Sequence, residues 1–169
     1  MEYKKTETLL SLDLDDFGIG PDDLRVFLVQ APDISIFRLV YFLNKTGYWD
    51  FNNTSLFFTP ENKPGLHLNV FRSIDEDEHL QWFLVGSDEG FSWVEKYPRS
   101  CFLVASGGGV STFDNAKNEE ICNLLENSCD FVFSGALPLS TPAGKKAAIF
   151  DLFSELYNFL STNDLTMQE

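Results

Sequence analysis

The strongest constraint on the fold is a series of three short apolar segments joined by two turns. The segments cover residues 55–59, 66–74 and 80–85, and the turns cover 60–65 and 75–78. Apolar runs of this length, bounded by proline, glycine or acidic residues, are typical of β-strands connected as hairpins. The sequence therefore predicts an antiparallel β-meander in this part of the chain.

The middle segment shows which residues share a face. Leu66, Leu68 and Val70 alternate with the polar residues His67 and Asn69. Alternation with a period of two residues is typical of a strand with one face on the core and the other in solvent. We therefore expect one face of the sheet to be solvated.

Further strand and helix signals lie on both sides of the meander. Asp33 is the predicted N-cap of a helix whose apolar residues cover most of its circumference, which is typical of a buried helix. Thr141 followed by Pro142 predicts the start of the last helix, because Pro is favoured at the first helical position. Together the elements predict a single α+β domain over residues 1–160, an antiparallel β-meander packed with about three helices, and a frayed tail at 161–169. The elements outside the meander are strands at 24–30, 101–105 and 129–134 and helices at 33–45, 114–126 and from Thr141 onward.

The charge balance limits the classes of partner. The chain carries 12 Lys and Arg against 26 Asp and Glu, a formal net charge of −14 at pH 7, and it has no cluster of basic residues. Nucleic acids and anionic membrane surfaces are bound through such clusters, so the sequence predicts neither as a partner. The acidity favours a basic protein partner through electrostatic steering, although solubility is the simpler explanation of the same charge.

A cytoplasmic location is expected from three features. The first residues are polar and lack the apolar core of a signal peptide, and no apolar run is long enough to span a bilayer. The three cysteines, Cys101, Cys122 and Cys129, are an odd number without a CxxC pair. That pattern fits a reducing compartment better than a disulfide framework.

A run of glycines is one candidate binding site. Gly107, Gly108 and Gly109 lie between a predicted strand and a predicted helix, where backbone amides can bind an anion. The lysine and hydroxyl residue of a phosphate-binding loop are absent, so a permissive loop is the simpler interpretation.

A second candidate is the aromatic segment before residue 101. Trp93, Tyr97 and Pro98 fall in an irregular part of the sequence. Aromatic side chains in loops often serve contacts with a partner, and simple packing is the alternative explanation.

The two histidines are candidate metal ligands. His67 and His79 fall in adjacent segments of the meander and could approach each other, with Asp77 or Glu78 as a further ligand. Both are more simply explained as surface residues. The sequence contains no catalytic motif, and it predicts no metal ion and no cofactor.

Two stretches resemble a known family. Residues 37–39 (FRL) and 43–45 (LNK) are similar to the helix signature "YRL…LNK" of the IPExxxVDY proteins, and Glu95 stands where that family has the glutamate of its name. The resemblance spans roughly residues 12–137. It implies a small acidic cytoplasmic domain of the kind found in bacteria, mainly Bacteroidota, with no assigned activity to transfer.

Arg38 suggests a structural role for Glu95. Arg38 lies within an otherwise apolar helix, and a buried guanidinium needs a carboxylate partner. We expect Arg38 and Glu95 to form an ion pair that ties the helix to the segment before residue 101.

These observations favour a non-enzymatic protein-interaction module with an acidic surface. One alternative is a small-molecule or anion-binding domain, or a small enzyme, with a pocket between Gly107–Gly109 and residues 134–141. Another is an immunity-type inhibitor of a basic toxin. Homodimerisation through an exposed edge strand also stays open.

Overall fold

A six-stranded antiparallel sheet forms the centre of the fold, which confirms the predicted α+β class. The computed structural model describes residues 24–30, 34–87, 100–128, 133–137 and 148–163. A 3₁₀-helix at Gly108–Thr112 lies between β5 and α2. In chain order the other elements are β1 Leu24–Gln30, α1 Ile36–Lys45, β2 Asn52–Phe58, β3 Leu68–Asp75, β4 Leu80–Gly86, β5 Ser100–Ser106, α2 Asn115–Ser128, β6 Phe133–Leu137 and α3 Ala148–Thr162.

β1 lies inside the sheet. The strand order is β2-β3-β4-β5-β1-β6, and every neighbouring pair is antiparallel. The predicted meander is confirmed, since β2 to β5 are neighbours in chain order. Because β5 and β6 both run antiparallel to β1, they are parallel to each other, and the chain crosses from one to the other through α2.

Helices cover both faces of the sheet, so the expectation of one solvated face is wrong. All seven residues of β4 are buried. Asn69, one of the two polar residues in the alternating pattern, is buried, and so is Ser73. On one face, Leu156, Tyr157 and Leu160 of α3 pack against Leu24, Val26, Val70, Phe83, Val85, Phe102 and Val104. On the other face, residues of α1 and α2 pack against Phe27, Val29, Phe71, Trp82, Leu84 and Leu103.

α1 is amphipathic and has an exposed side. Its N-cap is Ser35 rather than the predicted Asp33, because the Ser35 Oγ accepts a hydrogen bond from the Arg38 backbone N–H at 3.2 Å. Arg38 is exposed, and its guanidinium carbon lies 5.5 Å from the centroid of the Phe42 ring. The expected burial of Arg38 is therefore wrong. The residues that α1 buries are Ile36, Leu39, Val40 and Leu43.

β2 is an edge strand with an irregular middle. Its pairing with β3 shifts register between Asn53 and Phe57, and Ser55 has a positive φ of 65°. The Thr54 Oγ1 donates a hydrogen bond to the backbone oxygen of Val70 at 2.8 Å, which ties the irregular section to β3. β2 begins at Asn52, before the predicted segment 55–59. Its first residues that pair with β3 are the polar Asn52 and Asn53, which the apolar pattern did not include.

The last two elements differ in their bounds from the sequence expectation. β6 begins at Phe133, near the end of the predicted strand 129–134, whose first residues lie outside the described part of the chain. α3 continues through Thr162, past the predicted boundary at residue 160. Thr141 and Pro142, the predicted start of this helix, also lie outside the described residues.

Candidate protein-interaction surface

The glycine run packs against the turn between β3 and β4. The Gly109 N–H donates a hydrogen bond to the His79 backbone oxygen at 3.1 Å. A Cβ at position 109 would overlap the backbone oxygen of Glu78. Gly107 has a φ of 118°, a region in which a side chain is strained. The positive φ thus accounts for glycine at 107, and the close approach of two backbones accounts for glycine at 109.

The two histidines lie at opposite ends of β3, so the expectation that they could approach each other is wrong. His67 precedes β3, and its Nδ1 lies 2.9 Å from the Thr59 Oγ1. His79 lies in the β3–β4 turn with a φ of 57°. Both side chains are exposed, as expected of surface residues. Within the described ranges, no three or more His, Cys, Asp or Glu side chains are grouped so that they could hold a metal ion.

Lys117 of α2 joins the β3–β4 turn to the helix. Its Nζ lies 3.3 Å from the Glu78 Oε1, 3.3 Å from the Tyr48 hydroxyl and 3.8 Å from the Glu120 Oε1. The same ammonium lies 5.6 Å from the ring centroid of Tyr48 and 5.8 Å from that of Phe113. The Lys117 side chain is only 16% exposed. It is therefore a largely enclosed cation with two carboxylates and two rings around it.

The pKa values of Tyr48 and Lys117 are both raised in this cluster. Burial raises the pKa of the Tyr48 phenol, and the neighbouring Lys117 ammonium partly opposes that effect. Burial lowers the pKa of Lys117, but the hydrogen bonds to Tyr48 and Glu78 outweigh it and leave the pKa raised. Lys117 therefore stays charged, which suits a structural cation and not a nucleophile.

Two tryptophan rings pack against the ring of Tyr48. Its ring centroid lies 4.9 Å from that of Trp49 and 6.0 Å from that of Trp82, both in edge-to-face arrangements. Trp49 and Trp82 are buried on the α1–α2 side of the sheet. Sequence reasoning missed Tyr48 and Lys117. The available signal was that Lys117 is the only basic residue in a helix that carries three glutamates.

Acidic side chains surround Lys117 and form one surface. The Asp114 Oδ1 accepts a hydrogen bond from the Lys117 backbone N–H at 2.9 Å, so Asp114 lies at the start of α2, one turn before Lys117. Glu120 is on the same side of α2 as Lys117, through its contact with Lys117. We define the acidic surface as Asp75, Glu76, Asp77 and Glu78 of the β3–β4 turn together with Asp114 and Glu120.

A shallow open groove continues the acidic surface toward α1. It is lined by residues 47–50 and 73–77, which include the exposed Asp50. The Ser73 Oγ accepts a hydrogen bond from the Asp50 backbone N–H at 2.8 Å, which fixes the wall of the groove. The groove therefore adds one more carboxylate to the same end of the molecule.

Several residues singled out from the sequence are not placed. Trp93, Tyr97, Pro98 and Glu95 lie outside the described residues, so the aromatic contact site and the Arg38–Glu95 ion pair stay predictions. The alternative pocket is predicted between Gly107–Gly109 and residues 134–141. Residues 138–141 lie outside the described part of the chain. Ser134, which is described, donates a hydrogen bond to the Glu126 Oε2 at 3.0 Å.

The comparisons with known proteins add no family. No protein-family model, curated protein or solved structure matches the chain. None of the described helices combines the length and the apolar character needed to cross a membrane. The fold and the acidic surface therefore carry the functional argument.

Proposed function

We propose that the protein is a non-enzymatic interaction module that binds a basic partner protein through the acidic surface. The observation that carries this proposal is the convergence of the acidic β3–β4 turn and the start of α2 around Lys117. Clustered like charges raise the association rate of an oppositely charged partner and select against like-charged ones.

The acidic turn is held in one shape by hydrogen bonds within and below it. The Glu78 backbone N–H donates to the Asp75 Oδ1 at 3.1 Å, and the His79 carbonyl accepts from Gly109. A surface that is ordered before binding loses less conformational entropy when the partner docks. The turn is thus suited to rigid docking.

The carboxylates divide into three groups. Asp75 and Asp114 accept hydrogen bonds from backbone N–H groups of the turn and of α2. Glu78 and Glu120 are engaged by Lys117 and hold the turn against the helix. Glu76 and Asp77 are exposed at the tip of the turn, and within the described residues neither pairs with a cation. We assign the contacts with the partner mainly to Glu76 and Asp77.

The proposal includes a cellular location and a similarity to a known family. A cytoplasmic module similar to the IPExxxVDY proteins fits the sequence expectation, and the FRL and LNK stretches both fall within α1. An inhibitor of a basic toxin is one form that such a module could take.

Capture from native lysate with matched charge-reversal variants tests the proposal. Tagged wild-type protein, Asp77→Lys and Glu61→Lys are compared, because Glu61 is an exposed acid in the turn at the other end of β3. We expect a stoichiometric basic partner that wild type and Glu61→Lys retain, that Asp77→Lys loses, and that about 0.5 M salt releases. Equal loss in both variants would indicate general charge attraction. A partner kept by Asp77→Lys would place the contact elsewhere.

A further inference from the structure

An exposed aromatic surface lies on the side of α1 that faces the edge strand. Phe37 is 47% exposed, Tyr41 is 58% exposed, and Phe57 of β2 is 56% exposed. Rings of this size are usually buried in a monomer, and exposed groups of them often mark interaction sites. We define the aromatic surface as Phe37, Tyr41 and Phe57.

Helical spacing puts Phe37 and Tyr41 on the flank directed toward β2. Phe37, Tyr41 and Asn44 follow at intervals of four and three residues, so they share one flank of α1. The Asn44 side-chain amide donates to the Phe51 backbone oxygen at 3.1 Å and accepts from the Phe51 N–H at 2.7 Å. This pair of hydrogen bonds fixes the flank against the chain that enters β2.

Strand register places Phe57 on the same side of the sheet. Phe57 pairs with Asn69 of β3, two residues before Phe71, and the next residue Phe58 is buried on the opposite face. The Phe37 ring meets the Phe71 ring edge-on, with the centroids 5.5 Å apart. Phe37 therefore contacts Phe71, and Phe57 lies on the same face of the sheet, opposite Asn69 on the neighbouring strand.

The charge of this surface is opposite to that of the molecule. α1 contains Arg38 and Lys45 and no acidic residue, in a chain of net charge −14. The Lys45 ammonium lies 5.3 Å from the centroid of the Tyr41 ring, and Arg38 lies over Phe42. In the described part of the chain, no carboxylate lies within ion-pair distance of either cation. Arg38 and Lys45 thus give α1 a local positive charge.

We propose that the aromatic surface, with Arg38 and Lys45, docks a partner segment in which carboxylates stand next to apolar side chains. Carboxylates of such a segment pair with the two cations, and its apolar side chains cover the exposed rings. This site and its partner are separate from the acidic surface and its basic partner, so either proposal can fail without the other.

A second copy of the chain fits this surface less well. In a two-fold dimer formed through this surface, Arg38 and Lys45 of one copy would face the same cations of the other copy. Pairing between two β2 edges is also hindered, since the shifted register and the positive φ of Ser55 interrupt the strand. An acidic, apolar segment of another protein is therefore the occupant that the charge pattern favours.

Binding of short synthetic peptides tests the proposal. The probe is a fluorescein-labelled peptide in which acidic residues alternate with leucine and phenylalanine, and the matched controls carry lysine in place of the acids or serine in place of the apolar residues. We expect saturable binding of the probe by fluorescence anisotropy, and weaker binding of both controls. Failure of the probe to bind at concentrations up to about 1 mM would overturn the proposal.

Variants of the protein locate the binding. We expect Arg38→Glu and Tyr41→Ala each to weaken binding of the probe by about tenfold, as residues of these types do at interface centres. Lys63→Glu is the matched control, since it makes the same charge change in the β2–β3 turn. All three substitutions are at positions outside the core, and equal melting temperatures confirm folding. Equal weakening by Lys63→Glu, or no effect of the α1 variants, would contradict the assignment.

Two further measurements separate other occupants from the proposed one. Sedimentation of the protein over a range of concentrations shows whether a dimer forms. A dimer dissociated by Tyr41→Ala would assign the surface to a second copy. Binding to phosphatidylserine vesicles is the second measurement, because the lipid headgroups could pair with the same two cations. Binding to vesicles without binding to the peptide would assign it to lipid. Either result would overturn the proposal.

Discussion

Gly109 is the residue at which the 3₁₀-helix meets the β3–β4 turn, and its role follows from sterics alone. A Cβ at this position would overlap the Glu78 backbone oxygen and crowd Leu80. Backbone atoms cannot rotate away as a flexible side chain can, so the strain falls on the fold. We expect Gly109→Ala to lower the free energy of unfolding by about 2 kcal/mol in urea titrations.

Gly108 is the matched control for that substitution. A Cβ at 108 would meet nothing within 4 Å, and its φ is not positive. Gly108→Ala is expected to change the unfolding free energy by less than about 1 kcal/mol, in the stabilising direction, because it restricts the unfolded chain. Equal destabilisation by both variants would show that the run as a whole, and not contact at 109, requires glycine.

The Tyr48 phenol reports the state of the Lys117 cluster. Burial raises the pKa of Tyr48, the Lys117 ammonium lowers it, and the Glu78 carboxylate raises it. Lys117→Met is therefore expected to raise the pKa of Tyr48 further, and Glu78→Gln to lower it. NMR titration of ring-labelled tyrosine measures both. Changes of the same sign in the two variants would contradict the assigned contacts.

At the scale of single elements, α1 shows where sequence patterns lose information. Phe37, Tyr41 and Phe42 made every side of the helix look apolar, which predicted a buried helix. In the structure only one face of α1 packs against the sheet. The other rings stay at the surface, where Arg38 and Lys45 lie over them. An apolar residue on a helix is equally compatible with a core and with a binding surface, and only the packing partner decides.

The contact between α3 and the β2–β3 turn gives a pH-dependent prediction. The Glu155 Oε2 accepts a hydrogen bond from the Glu61 backbone N–H at 2.9 Å. Burial nevertheless raises the pKa of Glu155, and the nearby Glu61 carboxylate adds to the effect. A raised pKa in the folded state means that Glu155 supports folding while protonated and opposes it as the pH rises through its folded pKa.

The substitution Glu155→Gln tests whether the pKa of Glu155 is raised in the folded state. The amide oxygen can still accept the Glu61 N–H, and it carries no charge. We expect the variant and wild type to have similar unfolding free energies near pH 4 and the variant to become the more stable as pH rises to 7. Glu61→Gln is expected to reduce that difference, because it removes the neighbouring charge. A difference that is constant with pH would show that Glu155 does not titrate abnormally.

For the whole molecule, local patterns predicted the elements but not their arrangement. The meander and most strand positions follow from alternation and turn residues, which act between chain neighbours. The insertion of β1 between β5 and β6 depends on contacts between distant residues, such as Val26 with Val104 and Leu137. The site around Lys117 was missed for the same reason, since Tyr48, Glu78 and Lys117 lie far apart in the sequence.

The net charge of −14 acts on the stability of the entire fold. Like charges repel more strongly in the compact state than in the extended chain, and salt screens that repulsion. Raising NaCl from about 0.01 M to about 0.1 M shortens the screening length from about 30 Å to about 10 Å. We therefore expect the free energy of unfolding, followed by tryptophan fluorescence in urea, to increase over this range.

The tip of the acidic turn should account for part of that effect. Glu76 and Asp77 are exposed and, among the described residues, lack a cation partner, so the double variant Glu76→Gln, Asp77→Asn removes repulsion without removing an ion pair. We expect it to be more stable than wild type at about 0.01 M NaCl and nearly equal at about 0.1 M, where the repulsion is screened. A double variant less stable than wild type would mean that these carboxylates serve the fold. Stabilisation would mean that the fold keeps two charges that oppose it, which is the pattern expected of residues that serve binding.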